Sequence, residues 1–316
     1  MIKPFIMNFS PYKKKIVDTE EYKAFSNDFD YYINFFQNLS GLISYNGRII
    51  SLITNSKIHI LDTSLIENAG QTLRSVKLCS SIGCFADANT LIRKLRDDLV
   101  LYIYILDVIN HRKPFVEDDV ANLNTEDKEK LLSALLNIRL NNVLTADEQA
   151  IEAWFNNTVT ELPYTTRKKL SFENYMKSLK QNVNIKKILD DYNLQDYWET
   201  LRTRLNNYVH NNGKQFTNQN FVHAENKNID THFKNINTRV SYISSIFVIL
   251  LLMTESTLIS STDMIDHLDT GIEPPEDCQY FIANFVQEFI NTRITKLHPE
   301  LKQYLKDHNT HGMKID

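Results

Sequence analysis

An all-α fold follows from three features of this 316-residue chain. Only 7 glycines occur, alongside just 7 prolines, and so few glycines cannot supply the positive-φ turns of a β-rich sandwich, a dinucleotide-binding fold or a phosphate-cradling loop. Apolar residues recur at spacings of three, four and seven, the period of a helix with one buried face. The balance of 42% hydrophobic to 23% charged residues is enough to bury one large core or two smaller ones. Gly41 and Gly47 lie one residue too far apart for a P-loop, and no lysine follows Gly47.

The first helix is predicted over 20–39, where Phe25, Phe29, Tyr32, Phe35, Phe36 and Leu39 form one apolar stripe. The stretch Tyr45-Asn-Gly-Arg-Ile-Ile-Ser-Leu-Ile53 fits a helix or a short buried strand. Ser64 and Glu67 stand at capping-box spacing, so that the hydroxyl and the carboxylate would each satisfy an orphan N–H of a helix start. That helix should run to about Ile82, where Gly83 permits a break, and a second from near Asp87 to about Asn110, before Lys113-Pro114. Arg93 and Asp97, four apart, share one face of it, as a structural ion pair or as part of a site.

Residues 113–164 are acidic, with helix starts expected at Asn124 and at a Thr145–Glu148 capping box. Residues 165–204 turn basic, either a solvated face or a phosphate-binding patch. A helix is predicted over 194–210, then an asparagine-rich loop to Asn228 and a long helix containing the apolar run Ile243–Met253. That run of about eleven residues falls short of the roughly twenty a membrane span needs, so it reads as a core helix and no membrane partner is expected. Two last helices are predicted over about 275–294 and 298–308, with Pro299 suited to a first turn.

The formal charge of −4 and pI near 6.2 leave nucleic acid to be met by a local patch. Cys79, Cys84 and Cys278 include no CxxC pair. With no apolar run after Met1, the expectation is a reducing, cytoplasmic setting. No HExxH and no cysteine–histidine cluster occur, and His308 and His311 lack further ligands beside them. No metal or other cofactor is expected.

The chemistry concentrates in Tyr197–Gly213. Leu194, Trp198, Leu201, Leu205 and Tyr208 define a buried stripe. At about 100° per residue, His210 falls nearly opposite that stripe and Arg204 about 80° to its side. Asn211-Asn-Gly213 is a helix stop, which puts His210 in the last turn, where the negative end of the helix dipole attracts a cation.

Arg204, five intervening residues and His210, followed by Asn-Asn-Gly, resemble the Arg/His signature of the HEPN superfamily of helical RNA-binding and ribonuclease domains. The two long helices from Ser64 to Asn110 are similar to the first pair of that family's four-helix bundle, and the helix after Asn228 to its last. The resemblance implies an HEPN-like bundle over 63–266 with an insertion at about 113–190, a helical extension over 1–62 and C-terminal helices over 267–316. It also implies a homodimer that cleaves RNA without metal, as a toxin or in phage defence, with Arg204 and His210 as catalytic residues. The histidine would move a proton at the ribose 2′-OH or the departing 5′-oxygen and the arginine would hold the charge building on phosphate. Asn206, Asn207 and Arg202 are the candidate substrate contacts. The alternative is a non-catalytic helical adaptor using the same groove, and the residues alone also fit an exposed helix face without catalytic duty.

Overall fold

The computed structural model describes residues 15–45, 49–54, 57–121, 131, 136–261, 267, 270–271 and 281–316. The Asn124 helix start, Cys278, residues 275–280 and the first ten residues lie outside this set. Among the described residues the protein is all-α apart from one hairpin and isolated bridges. The helices of eight residues or more are α1 (Glu20–Tyr45), α2 (Ser64–Ser81), α3 (Phe85–His111), α4 (Ala146–Phe155), α5 (Phe172–Leu179), α6 (Val183–Asp191), α7 (Leu194–Val209), α8 (Ile229–Glu255) and α9 (Leu301–His308). A further helical run with a π turn spans residues 284–297.

The ambiguous stretch after Tyr45 resolves as strand: β1 (Ser51–Ile53) pairs antiparallel with β2 (Ile58–Ile60), Leu52 opposite His59. Only those two central residues are buried, the period of two that a half-buried hairpin requires. The Thr145–Glu148 capping box forms as expected, with the Thr145 hydroxyl accepting from Glu148 N (3.2 Å) and the Glu148 carboxylate from Thr145 N (2.7 Å). The Ser64–Glu67 box does not. Ser64 N donates instead to Asp62 (2.9 Å), and Glu67 accepts from the hydroxyls of Thr63 (3.0 Å) and Ser40 (3.2 Å), so its carboxylate is already engaged.

The chain forms two compact units, each built from separated stretches. The first comprises Met1–Phe36, Asn68–Arg96 and Asp196–Ser244; the second comprises Gln37–Glu67, Asp97–Gln195 and Ser245–Asp316. In the first unit, Phe233 of α8 stacks on Phe25 of α1 (centroids 4.7 Å apart) and meets the edge of Phe85 of α3 (5.3 Å). Asn220 caps α3 from a distant part of the sequence: its side-chain oxygen accepts from Ala86 N (2.9 Å) and Asp87 N (3.1 Å). This contact lets α3 start at Phe85, two residues before the Asp87 start that local sequence suggests. Gly83, at φ 81°, sits where a Cβ would lie 2.0 Å from the Val222 carbonyl oxygen, so the turn between α2 and α3 needs glycine for both backbone conformation and space.

In the second unit, Arg112 makes a buried ion pair with Glu148 (3.0 Å) and donates to the carbonyls of Ile53 (3.2 Å) and Asn141 (2.8 Å). The stretch Ile229–Ile259 is long and apolar enough to cross a membrane, and its most apolar window, mean hydropathy 1.9, is wholly buried in the protein.

Asp107 of α3 is 7% exposed, with one carboxylate oxygen lacking a hydrogen bond among the described residues. Burial pushes its carboxyl up to about 6, against the opposing pull of His111, whose ring nitrogen lies 3.5 Å away. An unfolded aspartate ionises near 3.9, so between about pH 4 and 6 the folded chain keeps a proton that the unfolded chain has lost. Folding is therefore favoured by acid at this position, and the contribution falls by about 2 kcal/mol between pH 4 and pH 7. Urea unfolding of wild type and Asp107→Asn across that range should show the variant gaining relative stability as the pH rises. A constant difference between the two would rule the assignment out.

Candidate functional site

Helix α7 carries the site, and its buried stripe fixes its orientation: Leu194, Trp198, Leu201, Leu205 and Tyr208 are all at most 8% exposed. The helix closes in a Schellman motif. Asn212 N donates to the Asn207 carbonyl (3.0 Å) and Asn211 N to that of Tyr208 (3.3 Å), while Asn211 takes the left-handed conformation at φ 52°. The residue that stops the helix is thus Asn211, whose short polar side chain tolerates positive φ.

A groove of about 730 Å³ runs along one face of α7, lined by Thr203, Arg204, Asn207 and Tyr208. Glu199 and Thr200 one turn earlier on α7, Gln215, Phe216 and Gln219 from the segment after the helix, and Asn235 and Arg239 of α8 line the rest of it. All of these residues belong to the first unit. Phe216 packs edge-on against the Tyr208 ring (5.0 Å), and the Tyr208 hydroxyl donates to Gln219 Oε1 (3.0 Å). The Arg239 guanidinium lies over the Tyr208 ring, 5.5 Å from its centroid, and donates to Asn89 Oδ1.

Of the five residues singled out by sequence, the groove gathers two, Arg204 and Asn207. Helical geometry accounts for the rest: Arg202 and Asn206 lie about 160° around the axis from Arg204, and His210 about 120°. Arg202 pairs with Glu199 (2.8 Å). Asn206 is half-buried, its side-chain oxygen without a hydrogen-bond partner among the described residues. His210 is exposed, its backbone N–H bonded to the Asn206 carbonyl (3.0 Å) and its ring unpartnered among the described residues. Arg204 and His210 of one chain therefore do not face a common groove.

Two arginines face one carboxylate in the lining, and that carboxylate, Glu199, is paired with Arg202. Asn207 Oδ1 accepts from Asn212 Nδ2 (3.0 Å) and Gln219 Oε1 from Tyr208, so the oxygen of each amide is engaged and its NH2 is the group without a partner among the described residues. Arg204 is exposed and its guanidinium has no partner among the described residues. A cationic, donor-rich concavity suits an acceptor-rich anion such as phosphate.

Sequence reasoning missed Arg239, Gln219 and Phe216. For Arg239 a signal existed: it falls inside the apolar pattern Phe233, Ile236, Val240, Ile243 of α8, where an arginine at a buried helix position is out of place. His232, two turns before Arg239, stacks on Phe85 (4.7 Å), and burial together with the Arg239 charge lowers its pKa, which keeps the ring neutral near pH 7. Gln219 and Phe216 lie in a loop whose path only the tertiary fold sets.

Part of the basic stretch over 165–204 is engaged elsewhere: Lys169 pairs with Asp147 (2.6 Å), Lys168 lies over the Tyr164 ring (4.6 Å) and Lys187 over that of Tyr304 (5.9 Å). Among the described residues no group of three or more His, Cys, Asp or Glu side chains could hold a metal ion. No protein-family model, curated protein or solved structure matches the chain.

Proposed function

We propose that this protein binds RNA through its sugar–phosphate backbone, in the manner of an HEPN domain, with the groove along α7 as the binding surface. The observation that carries this reading is the Arg204 guanidinium, exposed on the groove and, like the NH2 groups of Asn207 and Gln219, unpartnered among the described residues. An arginine so placed can fork onto two phosphate oxygens, and the amides of Asn207 and Gln219 add neutral donors beside it.

Metal-independent cleavage is the activity such a surface would support once His210 of a second copy reached the groove of the first. The 2′-hydroxyl would attack the adjacent phosphorus, the 5′-oxygen would leave, and a 2′,3′-cyclic phosphate and a 5′-hydroxyl would result. His210 would transfer the proton, and Arg204 would stabilise the charge on the phosphorane oxygens. The exposed, unpartnered ring of His210 is the observation that favours this second step.

Fluorescence anisotropy with a short single-stranded RNA, in chelator and over a range of salt, tests the reading. Arg204→Ala should weaken binding about tenfold and reduce the slope of log K against log salt by about 0.7, the share of one phosphate contact on a single strand. His210→Ala should leave binding within twofold and abolish any cleavage seen on a gel. Absence of RNA binding by wild type would discard the proposal and leave the adaptor alternative.

A further inference from the structure

Arg239 is 4% exposed, yet among the described residues no carboxylate lies within ion-pair distance of it. Its hydrogen-bond partner is the neutral amide of Asn89, itself 2% exposed and anchored by donation from Nδ2 to the Phe85 carbonyl (2.7 Å). Below the guanidinium is the Tyr208 ring, which attracts a cation without neutralising it. Buried charges in proteins are as a rule paired or bound to an ion, because an uncompensated one costs free energy. An arginine has five N–H donors. Asn89 accepts from one of them, the remainder have no acceptor among the described residues, and Arg239 is one of the residues that line the groove, whose one carboxylate, Glu199, pairs with Arg202.

We propose that Arg239 is a second, desolvated phosphate-binding residue of the groove, held in position by Asn89 and Tyr208, and that the anion missing from its surroundings is a phosphate of the bound RNA. This rests on the reading of the groove as an RNA-binding surface. It adds a named contact on α8 to the one Arg204 makes from α7. Arg204 meets phosphate from solvent, with an exposed side chain that no described residue holds. Arg239 is preorganised: its rotamer is fixed before the ligand arrives, so less freedom is lost on binding.

The test compares wild type, Arg204→Ala, Arg239→Met and Arg239→Lys in binding the same short single-stranded RNA across a salt series, with 5′-phosphorylated and 5′-hydroxyl forms of the RNA as separate arms. Arg239→Met should lose at least tenfold in affinity and about 0.7 in salt slope, and the double variant with Arg204→Ala about 1.4. Arg239→Lys should keep the slope but lose affinity, because an ammonium cannot reach Asn89 and phosphate together as a planar fork does. Methionine fills much of the space of the arginine and removes a buried charge but leaves Asn89 Oδ1 without its donor, two opposed effects, so the thermal midpoint without RNA should change little, while its rise on adding RNA should shrink. If Arg239→Met does not fold, Arg239→Lys carries the test through the loss of affinity at constant slope.

A loss confined to the 5′-phosphorylated RNA assigns the subsite to a terminal phosphate, and an equal loss in both arms assigns it to an internal phosphodiester. A folded Arg239→Met with wild-type affinity and slope overturns the inference, and a concurrent loss in Arg204→Ala would show that the groove reading itself survives. Failure of wild type to bind either RNA overturns both.

Discussion

Arg112→Ala is expected to destabilise the protein by about 3–5 kcal/mol, the cost of leaving a buried partner charge uncompensated. The Arg112 side chain is 3% exposed and that of Glu148 8%. Removing the guanidinium takes the counter-charge from Glu148, whose carboxylate keeps only the Thr145 N–H, and the donors from two carbonyls, those of Ile53 and Asn141. The consequences are not confined to one bond. Arg112 follows the last residue of α3 and ties it to β1 through Ile53 and to the start of α4 through Glu148, which also closes the Thr145 capping box. Urea unfolding should show a lower midpoint for Arg112→Ala and for Glu148→Gln, with the double variant less destabilised than the sum of the two. Additive losses, or a loss under about 1 kcal/mol for Arg112→Ala, would mean that the pair does not act as a unit.

Trp198→Ala should cost a similar amount, about 3–5 kcal/mol, as a large side chain removed from a packed core leaves a cavity. Trp198 is 1% exposed and its ring lies 6.0 Å from that of Tyr242, centroid to centroid. Its position gives the loss a functional consequence. Arg204 and Asn207 ride on α7, one to three turns beyond this anchor, so loosening the helix weakens the groove without touching a groove side chain. RNA affinity of Trp198→Ala should fall below that of wild type at temperatures where circular dichroism still reports a folded chain. Trp198→Phe, which keeps an aromatic ring in the site, should recover most of both losses. An alanine variant with wild-type midpoint would show that the stripe is not what holds α7.

The interactions that sequence revealed are those whose partners are close along the chain. The stripe of α7 repeats every three or four residues, and the Thr145–Glu148 box spans three; both follow from backbone geometry that the residues themselves set. The Ser64–Glu67 pattern had the same spacing and failed, because Glu67 found the hydroxyls of Ser40 and Thr63. The strand at Ser51–Ile53 was illegible for a related reason: three residues show no decisive period, and the strand exists because Ile58–Ile60 offers it hydrogen bonds.

The site divides along the same line. Arg204 and His210 stand out by type and spacing, and the helix period places them about 120° apart. That angle keeps the two off one groove within a chain, but what packs beside each, and so which of them borders a groove at all, the period does not contain.

By itself, then, the amino-acid order determined the helical class, the buried faces of α1 and α7 and the residues that project away from them, because these depend on periodicity and on neighbours within one or two turns. Tertiary structure alone decided that Asn220 would start α3, that Gln219 would accept from the Tyr208 hydroxyl, and that Arg239 would emerge in a groove wall. Each of these joins residues from separate segments, whose approach is set by the packing of whole helices and not by any local pattern.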